Sequence, residues 1–482
     1  MNASNGLREL KGKRLLGYAV GNFGISMLNI FSGSFVFQFY VYTINLDPVL
    51  ASVGLSFNVF ISAFFSIIFG VIIDNKKPGK FGKRRPFLLY ALPFWIISSI
   101  IIWFPPYAPE NNSLFLPTAF YFWIVTATRA LSGTLIFNTY LSMLPEQSQT
   151  LANRHKVASL RAFFMIIASV ISLFLPLLVQ SLLPNPREAK HYDPSGKIIL
   201  TIIPVMGFIL TCVGLIAVLI VFFSVDESFH LYNSNNSNSK KRKVTLKEAF
   251  KRMAQPAKDY KYRNLVFTGF FMNIAGSIFG FLLFPFQTFL LEFQQAEFLL
   301  YVIISLTGKL SWYVVWRFVI KKRPLVKSYT LALTFSAIVS FTDFLFLLSN
   351  LPYPIKILLY VVSFGTILGT SYSIPLFGIP LGASLIHEAA LKKSPSNVDE
   401  TITTMSGSYY GFSTFVSSLG AGFFQIVIGL ILTGANQRDP IIITLLFGSQ
   451  GFFYLIAIFF LRKIKFVEHV EIDTTTPQIE VP

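Results

Sequence analysis

The chain of 482 residues holds one cysteine and five histidines, and charged residues make up only 13% of it. Cys212 stands alone inside an apolar run, which excludes a disulfide framework and a cysteine-based metal site. His155, His191, His230, His387 and His469 fall in loops and tails, and their spacing suits neither a metal centre nor a nucleophilic triad. Soluble chains carry roughly 25% charged residues, and single soluble cores stop growing at roughly 250 to 300 residues. A water-soluble enzyme is therefore excluded. Acid is scarcest of all: 22 Asp and Glu face 40 Lys and Arg, a net charge of +18. Nucleic-acid binding would need those cations on one face of a folded domain. Instead they fall in short bursts between apolar stretches.

What is abundant is apolar. Hydrophobic residues make up 53% of the chain, 53 of them Phe, and the mean hydropathy is +0.61. A bilayer core takes about 20 apolar residues per helix. Twelve stretches qualify: 15–44, 50–73, 86–105, 115–144, 157–183, 198–224, 263–291, 297–320, 325–349, 355–386, 407–433 and 440–461. They predict an all-α membrane protein of twelve transmembrane helices. Arg8, Lys11, Lys13 and Arg14 precede a first apolar stretch about twice as long as a signal-peptide core, so it reads as a retained span. With the N-terminus cytoplasmic, 33 of the 40 Lys and Arg lie inside and five (Arg187, Lys190, Lys197, Lys356, Arg438) lie outside. The positive-inside rule thus predicts a multi-pass protein of the cell membrane with both termini in the cytoplasm.

Between spans 6 and 7, the tract Asn233-Ser234-Asn235-Asn236-Ser237-Asn238-Ser239 runs into Lys240-Lys241-Arg242-Lys243, a composition that predicts a flexible linker. The expected units are a six-helix bundle over 1–225, a cytoplasmic linker over 226–262, a second bundle over 263–466 and a polar tail over 467–482. The halves repeat one another. Asn22, Ser26 and then Phe35-Val36-Phe37-Gln38 are echoed by Asn273, Ser277 and then Phe284-Pro285-Phe286-Gln287. Lys83-Arg84-Arg85-Pro86 is echoed by Lys321-Lys322-Arg323-Pro324 at the same place in the second half. Two pseudo-symmetric six-helix halves of this kind hold their solute between them near the bilayer midplane.

Four places carry a family resemblance: Gly17-Tyr18-Ala19-Val20-Gly21-Asn22-Phe23-Gly24; 70–74 with Gly82-Lys83-Arg84-Arg85-Pro86-Phe87; Tyr140-Leu141-Ser142-Met143-Leu144-Pro145-Glu146 with Arg154 and Arg161; and 407–420. Together they resemble the major facilitator superfamily and, within it, the glycoside-pentoside-hexuronide cation symporters, the family of melibiose permease. The resemblance implies the major facilitator fold and alternating-access transport of a sugar, glycoside or sugar acid. Thr134 matches a threonine of the family's cation site, and Arg161 matches a span-5 arginine that helps bind sugar. Where the family has cation-binding carboxylates on span 2, a lysine on span 11 and acidic sugar ligands on spans 1 and 4, this chain has Ser62 and Ser66, Ser418, and Ser26 and Phe137. Coupling to a proton is therefore expected ahead of coupling to sodium. Asp74, Lys83, Arg84 and Arg85 resemble the facilitator loop that latches helices in one conformational state; simple topology charge is the other reading.

Polar stripes run along three spans at helical spacing: Tyr18, Asn22, Ser26 and Asn29; Asn58, Ser62, Ser66 and Gly70; Gly269, Asn273, Ser277 and Gly280. Such residues either pack helices together or line a cavity for a polyhydroxylated solute. Only Arg129, Lys309 and Asp343 are charges well inside spans, where each costs roughly 2.5 to 3.5 kcal/mol on insertion scales. Arg129 and Lys309 lie near mid-depth, suited to a carboxylate, phosphate or sugar hydroxyl; alternatively Lys309 forms a structural pair with Asp343. Arg161 lies one turn from the inner boundary and can instead snorkel to water. The candidate substrate set is Tyr18, Asn22, Ser26, Arg129, Thr134, Asn138, Arg161, Asn273, Ser277 and Lys309, with no metal and no cofactor. His387 and Glu388, at the inner end of span 10, read as a solvated end or a proton relay. The expected partners are a small-molecule substrate, the bilayer and a coupling proton, with no nucleic acid, for a monomer. A carrier of a lysophospholipid or other amphiphile, or a sensor that has lost transport, remains an alternative.

Overall fold

The structure is a computed structural model that describes residues 8–77, 79–148, 151–227, 245–348, 351–370, 374–395 and 398–465. Among them, eleven helices are long and apolar enough to cross a membrane, and Arg85–Ile101 is a shorter apolar helix of the same kind. Span 1 is Gly12–Thr43, span 2 Pro48–Asn75, span 3 Arg85–Ile101, span 4 Leu116–Gln147, span 5 Leu151–Ser181 and span 6 Pro194–Ser224. Span 7 is Tyr260–Leu290, span 9 Leu325–Leu347 and span 12 Pro440–Arg462; span 8 is Leu300–Lys322 and span 11 Val398–Ile431. Span 10 has two pieces, Tyr353–Thr370 and Ile379–Lys393, the second entered through a π turn at Ile374–Gly378. The linker tract 233–243 and the tail 467–482 lie outside the described residues. Spans 5 and 11 begin at Leu151 and Val398, well before their apolar stretches, because helical hydrogen bonding continues past the point where hydrophobicity ends.

Helix starts follow local chemistry. Asp47, Asp259 and Asp439 each accept a hydrogen bond from an amide of the first turn of spans 2, 7 and 12, and Pro48 and Pro440 occupy the first turn where no amide partner is needed. Span 1 ends in a π turn, Phe39–Thr43, and then Asn45 with a φ of 68°. Span 7 ends in a π turn, Phe286–Leu290, and then Glu292 with a φ of 58°. Leu46 N–H bonds the Tyr40 carbonyl and Phe293 N–H bonds the Gln287 carbonyl. The same termination is thus built twice, 247 residues apart. The structural repeat makes Gln287 the counterpart of Tyr40, not of Gln38 as the sequence motifs suggest.

The helix pairings repeat as well. Span 1 packs on spans 5 and 6, span 2 on 4, and span 3 on 4 and 6; span 7 packs on 11 and 12, span 8 on 10, and span 9 on 10 and 12. Between halves, span 2 runs along span 11, span 1 meets span 7, and span 5 meets the start of span 8. Small residues set these approaches: a Cβ on Gly24 of span 1 would stand 2.4 Å from Ala217 of span 6, and one on Gly429 of span 11 would stand 2.3 Å from Ser52 of span 2.

The end of the bundle that holds the linker is called the linker face, and the opposite end the far face. On the far face the halves are closed against each other. Phe35 and Phe37 of span 1 meet Phe284 and Phe281 of span 7 at 5.4 and 4.4 Å between ring centres. Ser56 of span 2 donates to the Gly422 carbonyl of span 11 at 2.7 Å, Tyr42 donates to the Gln437 carbonyl at 2.8 Å, and Arg187 pairs with Glu292 at 2.5 Å.

Candidate substrate cavity

Below that closure lies a cavity of about 830 Å³, bounded by spans 1, 2, 4 and 11 and, toward the linker face, by the helix Leu246–Ala254. Its size falls within the roughly 300 to 1,000 Å³ usual for small-molecule sites. Span 1 contributes Asn29, Ser32 and Gly33, and span 2 contributes Asn58, Ser62, Ser66 and Gly70. Their spacing of three and four residues keeps each set on one helical face. Span 4 adds Thr126, Arg129, Thr134 and Asn138, and span 11 adds Ser408, Tyr410, Thr414 and Ser418. The Asn138 amide donates to the Ser66 carbonyl and hydroxyl at 3.1 and 3.0 Å, which fixes span 4 against span 2 at the cavity wall.

Arg129 is the charge at the heart of this site. It is 7% exposed. One Nη donates to the Leu28 carbonyl of span 1 at 3.0 Å, the other makes no hydrogen bond among the described residues, and the Nε is sealed from solvent without a partner. No Asp or Glu lines the cavity among the described residues. A buried guanidinium that keeps an unused donor beside an acid-free cavity is poised to take an anionic group, because charge-assisted bonds are the strong ones and an unmet buried donor is costly.

Other sequence candidates lie elsewhere. Tyr18 is fully buried and stacks on Tyr140 at 4.6 Å; each hydroxyl donates to the other's carbonyl, at 2.7 and 2.9 Å. Arg161 lies over the Tyr140 ring at 4.9 Å, and Asn22 donates to the Arg161 carbonyl at 3.0 Å. These four residues staple spans 1, 4 and 5 together away from the cavity wall. Ser26 is half-buried and outside that wall. Asn273 and Ser277 bond back along their own helix, to the carbonyls of Gly269 and Asn273 at 2.9 Å each, and neither lines the cavity.

The alternative pairing of Lys309 with Asp343 is not formed, and neither residue lines the cavity. Asp343 is fully buried with neither carboxylate oxygen hydrogen-bonded, although the Ser363 hydroxyl lies beside it. Lys309 lies among Ser169, Val170 and Leu173 of span 5. The reason is packing: consecutive spans 8 and 9 barely touch, since span 8 packs on span 10 and span 9 on spans 10 and 12. Glu388 is held by Lys261 and Lys392, each at its closest 2.7 and 2.8 Å, a tie between the linker-face ends of spans 7 and 10.

In the basic loop, the Asp74 side chain lies outside the described residues. Arg84 and Arg85 donate their amides to one Glu227 carboxylate oxygen at 2.8 and 3.3 Å, and Arg85 donates to the carbonyls of Phe222 and Val225 at the end of span 6. Gly82 has a φ of +89°, and a Cβ there would strike Glu227. These contacts stay within the first half. Lys83 is half-buried in the same loop. Sequence reading misses Glu227, and it misses Arg252 and Met253 of the linker helix, which reach the cavity. A signal for that helix exists: Thr245 and Glu248 form a capping box, with Leu246, Phe250 and Met253 on one face.

Residues 17–460 match a family model described as MFS/sugar transport protein. Similar solved structures include a point mutant of the nucleoside transporter NupG, at 11% identity and a TM-score of 0.63, covering 94% of this chain and 100% of that one. The inward-open xylose transporter XylE from E. coli matches at 15% identity and a TM-score of 0.60, covering 95% and 96%. A bacterial homologue of the human lysosomal transporter Spinster, inward-facing and unoccupied, matches at 12% and 0.62, covering 94% and 97%. No curated protein sequence matches significantly.

Proposed function

Because the chain belongs to the MFS/sugar transport protein family and is thus a secondary transporter, not an enzyme, we propose that it carries an anionic sugar derivative, such as a sugar acid, by alternating access. The observation that supports this reading is Arg129, buried with an unused donor at the wall of a cavity of about 830 Å³ whose polar lining is hydroxyls and amides, with no acid among the described residues. Amide and hydroxyl groups suit the solute's hydroxyls, and the guanidinium suits its carboxylate. Of 40 Lys and Arg, 33 belong on the linker side, which supports a cytoplasmic linker face and cytoplasmic termini in the cell membrane. The far-face closure then makes this an inward-facing arrangement. With no carboxylate on the cavity wall among the described residues to hold sodium, uptake is independent of sodium, and a proton is the coupling ion where there is one.

Thermal stabilisation of the purified protein by glucuronate, glucose and lysophosphatidylcholine tests the substrate class. Glucuronate raises the melting temperature more than glucose, and Arg129→Gln abolishes the difference. Stabilisation by the lysolipid alone, or equal stabilisation by glucuronate in Arg129→Gln, would overturn the reading.

A further inference from the structure

The linker helix Leu246–Ala254 is not merely a tether. At nine residues it is too short to be stable alone, since isolated helices under roughly 12 to 15 residues are marginal. Its capping box closes its first turn, with the Thr245 hydroxyl accepting from the Glu248 amide at 3.3 Å and the Glu248 carboxylate accepting from the Thr245 amide at 3.4 Å. What seats it is a pair of contacts across the halves. Phe250 meets Phe64 of span 2 at 5.9 Å, and the Met253 thioether packs against Gly411 of span 11. So seated, the helix lays Ala249, Arg252 and Met253 along the cavity's linker end.

Arg252 and Arg129 are the only charged side chains on the cavity wall among the described residues. Arg252 makes no side-chain hydrogen bond or ion pair among those residues. Along span 4, Arg129 stands nine residues, about 13 Å at 1.5 Å per residue, from Asn138, which bonds Ser66, two residues from the Phe64 that seats the linker helix. Arg252 enters from that side, beside Met253 and Gly411. Two cations spaced along a cavity whose polar lining is hydroxyls and amides, with no acid among the described residues, match a solute with an anionic group at each end.

We propose that the linker helix is a specificity element, in which Arg252 takes the second anionic group of a polyhydroxylated diacid whose first is held by Arg129. This rests on the anionic-solute reading above and narrows it. When the helix is seated, Arg252 completes the site; when it leaves, that contact goes with it.

The test uses three six-carbon open-chain probes that differ only in charge: sorbitol with none, gluconate with one carboxylate and glucarate with two. Binding to the purified full-length protein is measured by titration at pH 7.5. Glucarate binds at least about tenfold tighter than gluconate, the worth of one charge-assisted contact, and gluconate tighter than sorbitol. Arg252→Gln brings glucarate down to the affinity of gluconate, Arg252→Lys restores part of the preference, and Arg129→Gln weakens both acids. Equal binding of the two acids, or a glucarate preference that survives Arg252→Gln, overturns the inference while leaving the anionic reading intact. Failure of all acids to outbind sorbitol overturns both. A second readout needs no solute: with Cys212→Ser, oxidising a Phe64→Cys and Phe250→Cys pair slows maleimide labelling of a third cysteine at Ser62→Cys, and reduction restores it. Unchanged labelling removes the helix from the cavity mouth.

Discussion

Tyr18 and Tyr140 exchange hydroxyl-to-carbonyl hydrogen bonds between spans 1 and 4 with their rings stacked. Interhelical side-chain bonds in membranes are worth about 0.6 kcal/mol each. Tyr18→Phe therefore lowers thermal stability modestly, and the double variant with Tyr140→Phe loses less than the sum because both bonds belong to one staple; unfolding of the three variants in one detergent checks this. Glu227 is the more sensitive residue. It is 1% exposed and one oxygen accepts two loop amides, so Glu227→Ala costs about 1 to 3 kcal/mol, read as a drop in melting temperature. The residue scale also marks where sequence legibility stops. Tyr18, Asn22, Ser26 and Asn29 do share a helical stripe, but only Asn29 lines the cavity, because spans 4 and 5 cover the linker-face end of that stripe. Spacing fixes which residues share a face and says nothing of what lies over it. Arg129 stands out for a different reason, the cost of a charge inside a span, but that cost alone does not place a residue: Arg129 lines the cavity, whereas Lys309 and Asp343 do not.

At the scale of elements, the span 2 stripe of Asn58, Ser62, Ser66 and Gly70 lies along the cavity, and Ser66 also ties span 2 to span 4 through Asn138. The Lys309 and Asp343 pair failed because neighbours in sequence are not neighbours in a bundle where span 8 packs on span 10. The linker helix has no apolar span to mark it; its signal in the sequence is a capping box and three apolar residues on one face. The close approach of spans 2 and 11 depends on Gly429, whose Cβ position is filled by Ser52 and the Pro48 carbonyl. Gly429→Leu must push these helices apart at the far face, at a cost of about 1 to 3 kcal/mol for overpacking. Cysteine placed at Ser32, on the cavity wall, then gains reactivity toward an impermeant reagent added from the far side, whereas it stays protected in the parent protein.

Across the whole molecule, the six-plus-six plan was legible because a bilayer demands about 20 apolar residues per crossing and because loop charges mark each turn. The repeat itself was legible only approximately, with aromatic motifs suggesting a register two residues away from the one the paired π turns define. Which face is closed could not be read, since it depends on aromatic contacts between residues some 245 positions apart, such as Phe37 and Phe281. The far face of the first half also carries a titratable group. His191 stacks on Tyr107 at 5.1 Å and its amide donates to the Thr43 carbonyl at 2.7 Å, and burial holds its imidazole below the ordinary value of 6.5. The unfolded chain then takes up a proton first as pH falls, so the contribution is full above about pH 6.5 and is lost as pH drops through the lowered native value. Melting temperatures measured from pH 8 to 5 fall on the acid side, and His191→Gln flattens part of that fall.

The central claim, that Arg129 serves an anionic sugar solute moved by alternating access, is tested most directly by counterflow. Purified protein in liposomes preloaded with unlabelled glucuronate or glucarate is given the labelled acid outside, with and without sodium. The account predicts transient accumulation of the label at equal rates in both salts, abolished by Arg129→Gln in protein that remains folded. Accumulation of neutral sugars alone, steep dependence on sodium, or undiminished counterflow of the acids in Arg129→Gln would contradict it.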